Sequence, residues 1–418
     1  MTLIATNRPF RLFLSSAALA NLGDGIGALA FPWLATLITR DPALIALVAA
    51  ATRLPWLLLA IPAGIITDRY DRRQLMMRAD AMRAVLALAA VALAVTLQPG
   101  APPSGAWGAI LSLSALAFLM GCAEVIRDNA AQTILPSVVA PGDLERANGQ
   151  LWSVERIAGA FVGPPLAGFL IAMALPVPFG AEALGFAVAA WLIWAVALPR
   201  RARPPRRSPL TEAAEAWTWM RAHPVILRLA IMLGFLNAFT LMGLSVLVLV
   251  SQDRLGLGAA EYGLLLTVEA AGAVTAGLLG PRLVARLGQW RSVMLSLATF
   301  PLPWVVIALS DNAVLIAVSL FLGMAAGMTW NLVTVSYRQR TIPDALLGRV
   351  NSLYRFFGWG MMPIGAMAGG GIVALADGPL GHDMALRAPY AVAALGTIAL
   401  ALYGWRRLRL GPAPATLS

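Results

Sequence analysis

Residues 64–73 read GIITDRYDRR and place five charged side chains between two long apolar segments, 43–66 and 75–97. A helix needs about 20 apolar residues to cross the hydrocarbon core of a bilayer, and both neighbouring segments meet that length. The charged stretch therefore predicts a short loop at a membrane surface that joins two membrane-spanning helices.

Apolar segments of similar length recur along all 418 residues, which are 59% hydrophobic and 12% charged. A soluble domain has about 25% charged residues, and these segments lack the period-two alternation of barrel strands. We therefore predict an all-α polytopic membrane protein with twelve spans. Numbered span 1 to span 12, they are expected at 11–38, 43–66, 75–97, 106–127, 146–173, 180–199, 225–250, 259–284, 291–310, 312–336, 347–375 and 385–405.

The basic residues indicate how the chain is oriented. All 31 are Arg, and most fall in the segments that would be cytoplasmic if both termini were inside the cell. This placement accounts for the net charge of +11 without a nucleic-acid partner. Residues 200–223 begin rich in Pro and Arg and continue as an amphipathic segment, which predicts a cytoplasmic linker with a short helix at the membrane surface. The linker separates the predicted six-helix bundles 1–199 and 224–418.

Several kinds of chemistry are excluded by composition. A phosphate-binding P-loop requires Lys, and the chain has none. Cys122 is the only cysteine, and the two histidines, His223 and His382, lie far apart, so neither an intrachain disulfide nor a Cys/His zinc site is expected. The spans carry no recognisable catalytic arrangement. We expect no cofactor, no metal and no enzymatic activity.

The two halves repeat each other. NLGDGIGAL in span 1 aligns with NAFTLMGLS in span 7, and the Pro-containing segments before spans 5 and 11 also align. The matched pairs are Asn21 with Asn237, Asp24 with Thr240, Gly27 with Gly243, Pro136 with Pro343, Arg146 with Arg349, and Asn148 with Asn351. Repeats of this kind predict two pseudo-symmetric bundles with a substrate site between them near the membrane midplane.

The charged loop GIITDRYDRR resembles the G-x-x-x-D-R-x-x-R-R motif of the major facilitator superfamily. The resemblance implies a cytoplasmic gate in which Asp68 binds the N-terminus of span 11, near Gly348. In that gate the Arg cluster would pair with acids at the end of span 4, and the alternative is a charged loop that only sets topology. The expected gate residues are Gly64, Asp68, Arg69, Arg72, Arg73, Glu124, Arg127 and Asp128.

Span 5 contains GAFVGPPLAG, residues 159–168, which resembles the antiporter motif G-x-x-x-G-P-x-x-G-G. The matching residues are Gly159, Gly163, Pro164 and Gly168, whereas Ala167 departs from the motif. The resemblance implies an exporter that exchanges its substrate for protons; the alternative is ordinary packing of small residues. Longer phrases resemble the twelve-span efflux branch of enterobactin-exporter-like and macrolide-efflux-like proteins, although Glu182 in span 6 stands where a neutral polar residue is usual.

Ionisable residues inside spans are expensive and are treated as functional candidates. Asp24 and Glu269 are expected near the midplane, and Arg53 lies at a depth similar to that of Asp24. We hypothesise that Asp24, Arg53 and Glu269 couple transport to protons, and a pair between Asp24 and Arg53 is sterically plausible. A purely structural Asp24–Arg53 pair is the alternative. For Glu269 the alternative is a counter-ion for a cationic substrate. Glu182 is expected near the outer surface.

Aromatic and amide side chains within the spans suggest a cavity for a bulky amphiphilic molecule, although each aromatic residue could equally be a packing residue. The expected cavity residues are Asn21, Trp152, Arg156, Asn237, Trp330, Asn331, Tyr354 and Arg355. The sequence therefore predicts a monomeric, proton-coupled exporter of a small amphiphilic molecule, in contact with lipids of the inner membrane. The alternatives are a lipid or lysophospholipid transporter or importer of the same fold, and a non-transporting membrane sensor or scaffold.

Overall fold

The computed structural model describes residues 3–96, 106–196 and 209–409. Within these ranges the chain is helical, no strand occurs, and twelve helices are long and apolar enough to cross a membrane. The twelve-span, all-α prediction is confirmed. A short helix, Leu3–Thr6, precedes the spans.

The spans keep their numbers, with the following bounds. In the first half they are Arg8–Ile38, Pro42–Arg69, Arg72–Thr96, Ala106–Ile134, a span 5 that runs from Leu144–Glu155 into Gly163–Met173, and Val177–Trp194. In the second half they are Pro224–Leu249 with its extension Val250–Arg254, Ala259–Leu287, Gln289–Thr299 with Pro301–Leu309, Ala313–Thr341, Asp344–Gly360 with Met362–Leu380, and His382–Arg407.

Span 4 is longer than predicted, because its helix continues to Ile134 rather than ending near residue 127. The polar sequence after Arg127 stays helical since its side chains bond to their own backbone. Asn129 donates to the carbonyl of Val125 (2.8 Å), and Thr133 donates to that of Asn129 (2.9 Å). Glu124, Arg127 and Asp128 therefore lie two to three turns inside the helix, which rises about 5.4 Å per turn.

The chain forms two compact units. Unit 1 comprises Met1–Pro205 and Leu257–Thr267, and unit 2 comprises Arg206–Gly256 and Val268–Ser418. In unit 1, span 2 packs along span 4, while span 6 packs along spans 1 and 3. In unit 2, span 7 packs along span 11, and span 12 packs on spans 9 and 11.

The second part of the linker forms the helix Pro209–Ala222, whereas residues 197–208 lie outside the described part of the chain. This helix belongs to unit 2. Glu215 forms an ion pair with Arg349 (2.5 Å), and the Trp217 ring stacks on Phe357 with centroids 6.0 Å apart. Met220 is fully buried in the apolar core of unit 2, so the linker helix is anchored to the second bundle.

Candidate functional site

Asp24 lies near the middle of span 1 and forms an ion pair with Arg83 of span 3, through its Oδ1 and the arginine Nη2. The Arg83 side chain is 1% exposed and that of Asp24 is 28% exposed. The hypothesis that Asp24 pairs with Arg53 is therefore wrong. Arg53 lies on span 2, which packs along span 4, and there it interacts electrostatically with Glu124.

A chain of buried charges continues from Arg83 across spans 3 and 4. Arg83 lies 3.4 Å from Asp80, one turn earlier on its own helix, and Asp80 lies 3.3 Å from Arg127 on span 4. Arg127 also contacts Asp128 at 3.5 Å. Asp80 is 0% exposed and Arg127 is 1% exposed. Each member of such a network depends on the others, because an unpaired buried charge costs several kcal/mol.

We name this group the unit 1 charge cluster. Its members are Asp24, Arg53, Asp80, Arg83, Glu124, Arg127, Asp128 and Glu182. Glu182 is included because it interacts electrostatically with Arg83. These eight residues supply five carboxyl groups but only three guanidinium groups, so the arginines alone cannot neutralise every carboxylate. Glu155 and Arg156 of span 5, next to the cluster, add one charge of each sign and leave the excess unchanged.

The gate arginines bind elsewhere. Arg72 Nη1 donates to the carbonyl of Thr133 at the end of span 4 (2.8 Å), and Arg73 Nη1 donates to that of Val196 after span 6 (3.0 Å). Cations at helix C-termini are favoured by the helix dipole. The expected pairing of these arginines with Glu124 and Asp128 is thus corrected, because those acids lie deeper and interact with Arg53 and Arg127.

The structure shows fewer contacts for the remaining expected gate residues, Gly64, Asp68 and Arg69. Within unit 1, no described atom lies within 4 Å of a Cβ built at Gly64, so no other helix of this unit approaches the chain closely at this glycine. Arg69 is exposed, and the side chain of Asp68 lies outside the described part. Its contact with span 11 stays a prediction.

The glycines of span 5 lie at two helix crossings. A Cβ at Gly163 would come within 2.5 Å of the Cα of Gly25 in span 1, and a Cβ at Gly168 would overlap the carbonyl of Ala259 in span 8. Between the two helical parts of span 5, Arg156–Val162 forms a π-helix that includes Gly159. Such π segments occur frequently at functional sites. Small residues are therefore required here by close packing, which is compatible with both interpretations of the motif.

The expected cavity residues of span 1 and span 5 differ in exposure. Asn21 donates to the carbonyl of Ala17 in its own helix (2.8 Å). Trp152 and Arg156 are exposed. No described contact brings these three side chains together into one site.

In unit 2, Trp330 and Tyr354 are each 1% exposed and belong to its apolar core, which favours a packing role. Asn237 donates to the carbonyl of Gly358 in span 11 (2.8 Å), whereas Asn331 and Arg355 are exposed. Glu269 is buried, and no ion pair to it occurs among the described residues of unit 2.

Sequence reasoning missed two central members of the charge cluster, Asp80 and Arg83. The segment RADAMRAV, residues 78–85, carries both inside the predicted span 3, spaced three residues apart on one helix face. That pattern was a usable signal. The burial of Glu182 had no comparable signal, because it depends on contacts with residues of other spans.

Comparisons with known proteins agree with this architecture. The family model described as transmembrane secretion effector matches residues 5–412. The multidrug efflux pump Tap of Mycolicibacterium fortuitum is 28% identical over 421 residues, which is 97% of this chain and 98% of that pump. The Tap pump of Mycobacterium tuberculosis is 32% identical over 179 residues. That alignment covers 39% of this chain and only 38% of the length of the pump.

Among solved structures, a D-xylose–proton symporter superposes with a TM-score of 0.74 at 12% identity, covering 97% of this chain and 98% of the symporter. At that identity the likeness shows the fold alone. The family match extends over nearly the whole chain, and twelve spans in two bundles accompany it. The chain belongs to the transmembrane secretion effector family of the major facilitator superfamily, and twelve helices of its described part are long and apolar enough to cross a membrane.

Proposed function

We propose that this transporter exports small amphiphilic organic molecules from the cell and that inward proton movement drives the export. The full-length Mycolicibacterium relative is a multidrug efflux pump, which supports both the direction and the breadth of substrate. The chain resides in the inner membrane of a bacterial cell, with both termini in the cytoplasm. It carries no cofactor and acts as a monomer.

The observation that carries proton coupling is the unit 1 charge cluster. Asp24 is held by Arg83 in the middle of a span, within a group where carboxyl groups outnumber guanidinium groups. Charged carboxylates within a membrane are expensive, so an excess of carboxyl groups favours the uptake of a proton. Asp24 is the best placed of the five to exchange it, because it combines a position near the middle of its span with a side chain that is 28% exposed. Asp80 is fully buried, and Asp128, at 32% exposed, lies only six residues before span 4 ends at Ile134.

Proton uptake has a direct structural consequence. A neutral Asp24 no longer attracts Arg83, which weakens the link between spans 1 and 3. Rearrangement of these spans then couples the proton to alternating access of the substrate cavity. At the cytoplasmic end, Asp68, Arg69, Arg72 and Arg73 act as the gate that closes this access.

Proton-driven efflux of an amphiphilic cationic dye from liposomes tests the proposal. The comparison uses wild type, Asp24→Asn, and the matched control Thr240→Val at the equivalent position of span 7. An imposed pH gradient should drive efflux in wild type and Thr240→Val, and the driven component should fall to the protein-free level in Asp24→Asn. Dye should still bind to Asp24→Asn, which separates coupling from recognition.

Two outcomes would contradict the proposal. Equal driven efflux by Asp24→Asn would make the Asp24–Arg83 pair structural. Dye movement by wild type that ignores the pH gradient would instead indicate a uniporter or importer, and a lysophospholipid should then be tested as substrate.

A further inference from the structure

Glu182 is a buried carboxyl group that the coupling scheme above leaves unused. It lies on span 6, five residues after Val177, where the helix begins. Its side chain is 1% exposed, and its Oε2 has no hydrogen-bond partner among the described residues. A buried carboxylate without a partner is expensive, so either a proton or a nearby cation must compensate it.

The position of Glu182 follows from a glycine in span 1. A Cβ at Gly27 would overlap Oε1 of Glu182, so the carboxyl group packs directly against the backbone of span 1 at this glycine, and a side chain there would displace it. Gly27 lies three residues after Asp24, which places the two on neighbouring turns of one helix face. Glu182 therefore meets span 1 about one turn from Asp24.

Arg83 interacts with both of these acids. It pairs with Asp24, interacts electrostatically with Glu182, and stacks on the ring of Phe186 at 4.0 Å. Phe186 follows Glu182 by four residues on the same helix, so the ring holds the guanidinium close to this face of span 6. The neighbouring glycine at position 23 makes space for that ring, since a Cβ there would lie 2.6 Å from it.

We propose that Glu182 is a second proton-binding carboxyl group and that it exchanges Arg83 with Asp24. The inference rests on the proposed proton coupling. In the arrangement of the structure, Arg83 neutralises Asp24 and Glu182 carries the proton. In the second arrangement, Asp24 carries the proton and Arg83 neutralises Glu182.

The transfer step balances. The O–H bond of Glu182 breaks, a new O–H bond forms on Asp24, and the guanidinium of Arg83 moves the opposite way, so the buried net charge stays constant. In the proposed orientation Glu182 lies on the extracellular side of Asp24, and protons would therefore enter the cell through Glu182 first.

Other charges also face Arg83 and are part of the balance. Asp80 contacts it from the same helix, and Glu124, Arg127 and Asp128 interact with it from span 4. None of these groups has a described interaction with Glu182, for which Arg83 is the one charged neighbour in the described part of the chain. The exchange is thus specific to Asp24, Arg83 and Glu182.

The pH profile of dye efflux tests this exchange in Glu182→Gln, with Glu182→Asp as the conservative variant. Exposed Glu261 provides a matched control, Glu261→Gln. Without Glu182, Arg83 keeps Asp80 and the acids of span 4 as neighbours but loses the acceptor that would draw it away from Asp24. Arg83 then stays on Asp24, which opposes protonation of Asp24. The midpoint of the profile should shift by about one unit toward acid in Glu182→Gln, a tenfold higher proton concentration, and should shift less in Glu182→Asp.

An unchanged midpoint in Glu182→Gln would overturn the inference while leaving proton coupling through Asp24 intact. A wild-type rate without pH dependence would contradict the proposed function instead. A second measurement needs no variant: a hydrophobic carbodiimide, which reacts with protonated carboxyl groups in apolar surroundings, is applied to wild type and located by peptide mass spectrometry. Modification at Glu182 that declines with rising pH is expected, and labelling confined to other carboxyl groups would contradict the proposal.

Discussion

Spans 1 and 7 are counterparts in the repeat, yet they use the same position differently. Asp24 of span 1 binds Arg83 of another helix, whereas Thr240 of span 7 donates to the carbonyl of Leu236 in its own helix (2.9 Å). The neighbouring Asn21 and Asn237 differ less, since both donate to backbone carbonyls. At this position unit 1 therefore has an ion pair between two helices, whereas unit 2 has a hydroxyl group that bonds within its own helix.

The helix crossings, in contrast, are built alike. Gly163 of span 5 meets Gly25 of span 1, and in unit 2 a Cβ at Gly365 of span 11 would overlap the carbonyl of Ala238 in span 7. Small residues at both crossings let the helix backbones approach closely. The fold is therefore maintained in both bundles by the same packing device, with or without an ion pair beside it.

Charges in unit 2 concentrate at the ends of its helices. Arg254 and Arg387 bind Asp311 and donate to the carbonyls of Ile307 and Ala308 at the end of span 9. Because unit 2 forms a six-span bundle with Glu269 as its buried carboxyl group, the fold itself does not require a buried charge network. The network in unit 1 is better explained by transport than by folding.

The largest effect is expected from removing one shared cation of the unit 1 charge cluster. Arg127→Leu leaves Asp80 and Asp128 without the guanidinium that lies 3.3 Å and 3.5 Å from them. Breaking a buried pair by removing one partner costs about 3–5 kcal/mol. We expect a large loss of monodisperse protein and a lower thermal unfolding midpoint in detergent.

Two variants sharpen this comparison. Asp80→Asn combined with Arg127→Leu removes both charges and should recover much of the lost stability. In unit 2, the residue nine positions before Pro343 is Thr334, as Arg127 is nine before Pro136, and Thr334→Val should cost about 1 kcal/mol or less. Equal damage from Arg127→Leu and Thr334→Val would show that the two bundles do not differ in this respect.

A smaller effect is expected when the ion-pair position is transferred to unit 2. Thr240→Asp places a carboxyl group near the middle of span 7. Among the described residues, no arginine contacts position 240, so the new carboxylate has no partner for an ion pair. A charged residue at a span centre costs about 2.5–3.5 kcal/mol on insertion scales. Membrane-inserted yield should fall for Thr240→Asp, and it should stay near wild type for Thr240→Asn, which is polar but uncharged.

Undiminished yield of Thr240→Asp would mean that span 7 tolerates a charge as span 1 does. The unit 1 charge cluster would then no longer be evidence that unit 1 differs from unit 2 in its ability to hold charges within a span. The test is needed because unit 2 already contains one buried acid, Glu269, and the tolerance of span 7 for a second one does not follow from the fold.

The fold followed from the sequence because span length and apolar composition are local properties. Span 12 was expected at 385–405 and is found at His382–Arg407. The end of span 4 was predicted too early, because polar residues such as Asn129 and Thr133 are typical of loops. In the structure their side chains donate hydrogen bonds to backbone carbonyls of the same helix, which therefore continues.

Five of the eight residues of the unit 1 charge cluster were also accessible from the sequence, namely Asp24, Arg53, Glu124, Arg127 and Asp128. The depth of Asp24 identified it as a functional candidate, because a charge there needs a reason. Its partner was not accessible, since the choice between Arg53 and Arg83 depends on which helices pack together. The depth of Glu182 near the start of span 6 was accessible, whereas its burial was not, because burial depends on contacts such as that with Gly27, between residues far apart in the chain.

The smallest effect is expected at Asp311, which lies between spans 9 and 10 and which we call, with Arg254 and Arg387, the rim of unit 2. The hydrogen bond from Arg387, with Arg254 adding to it, lowers the pKa of Asp311 below its ordinary value. A lowered folded pKa means that ionised Asp311 stabilises the protein above the unfolded pKa of about 3.9, and that this contribution is lost as the pH falls through the lower folded value.

Thermal unfolding of wild type and Asp311→Asn, measured between neutral and acid pH, isolates this contribution as a difference. Wild type should be more stable near neutral pH by less than about 1 kcal/mol, as is typical of exposed ion pairs, and the difference should vanish at the acid end. Arg254 and Arg387 keep their backbone acceptors in the variant, which explains why the loss stays small. A loss as large as that of Arg127→Leu would show that rim charges stabilise unit 2 as strongly as buried charges stabilise unit 1, and the contrast between the bundles would then be one of position only.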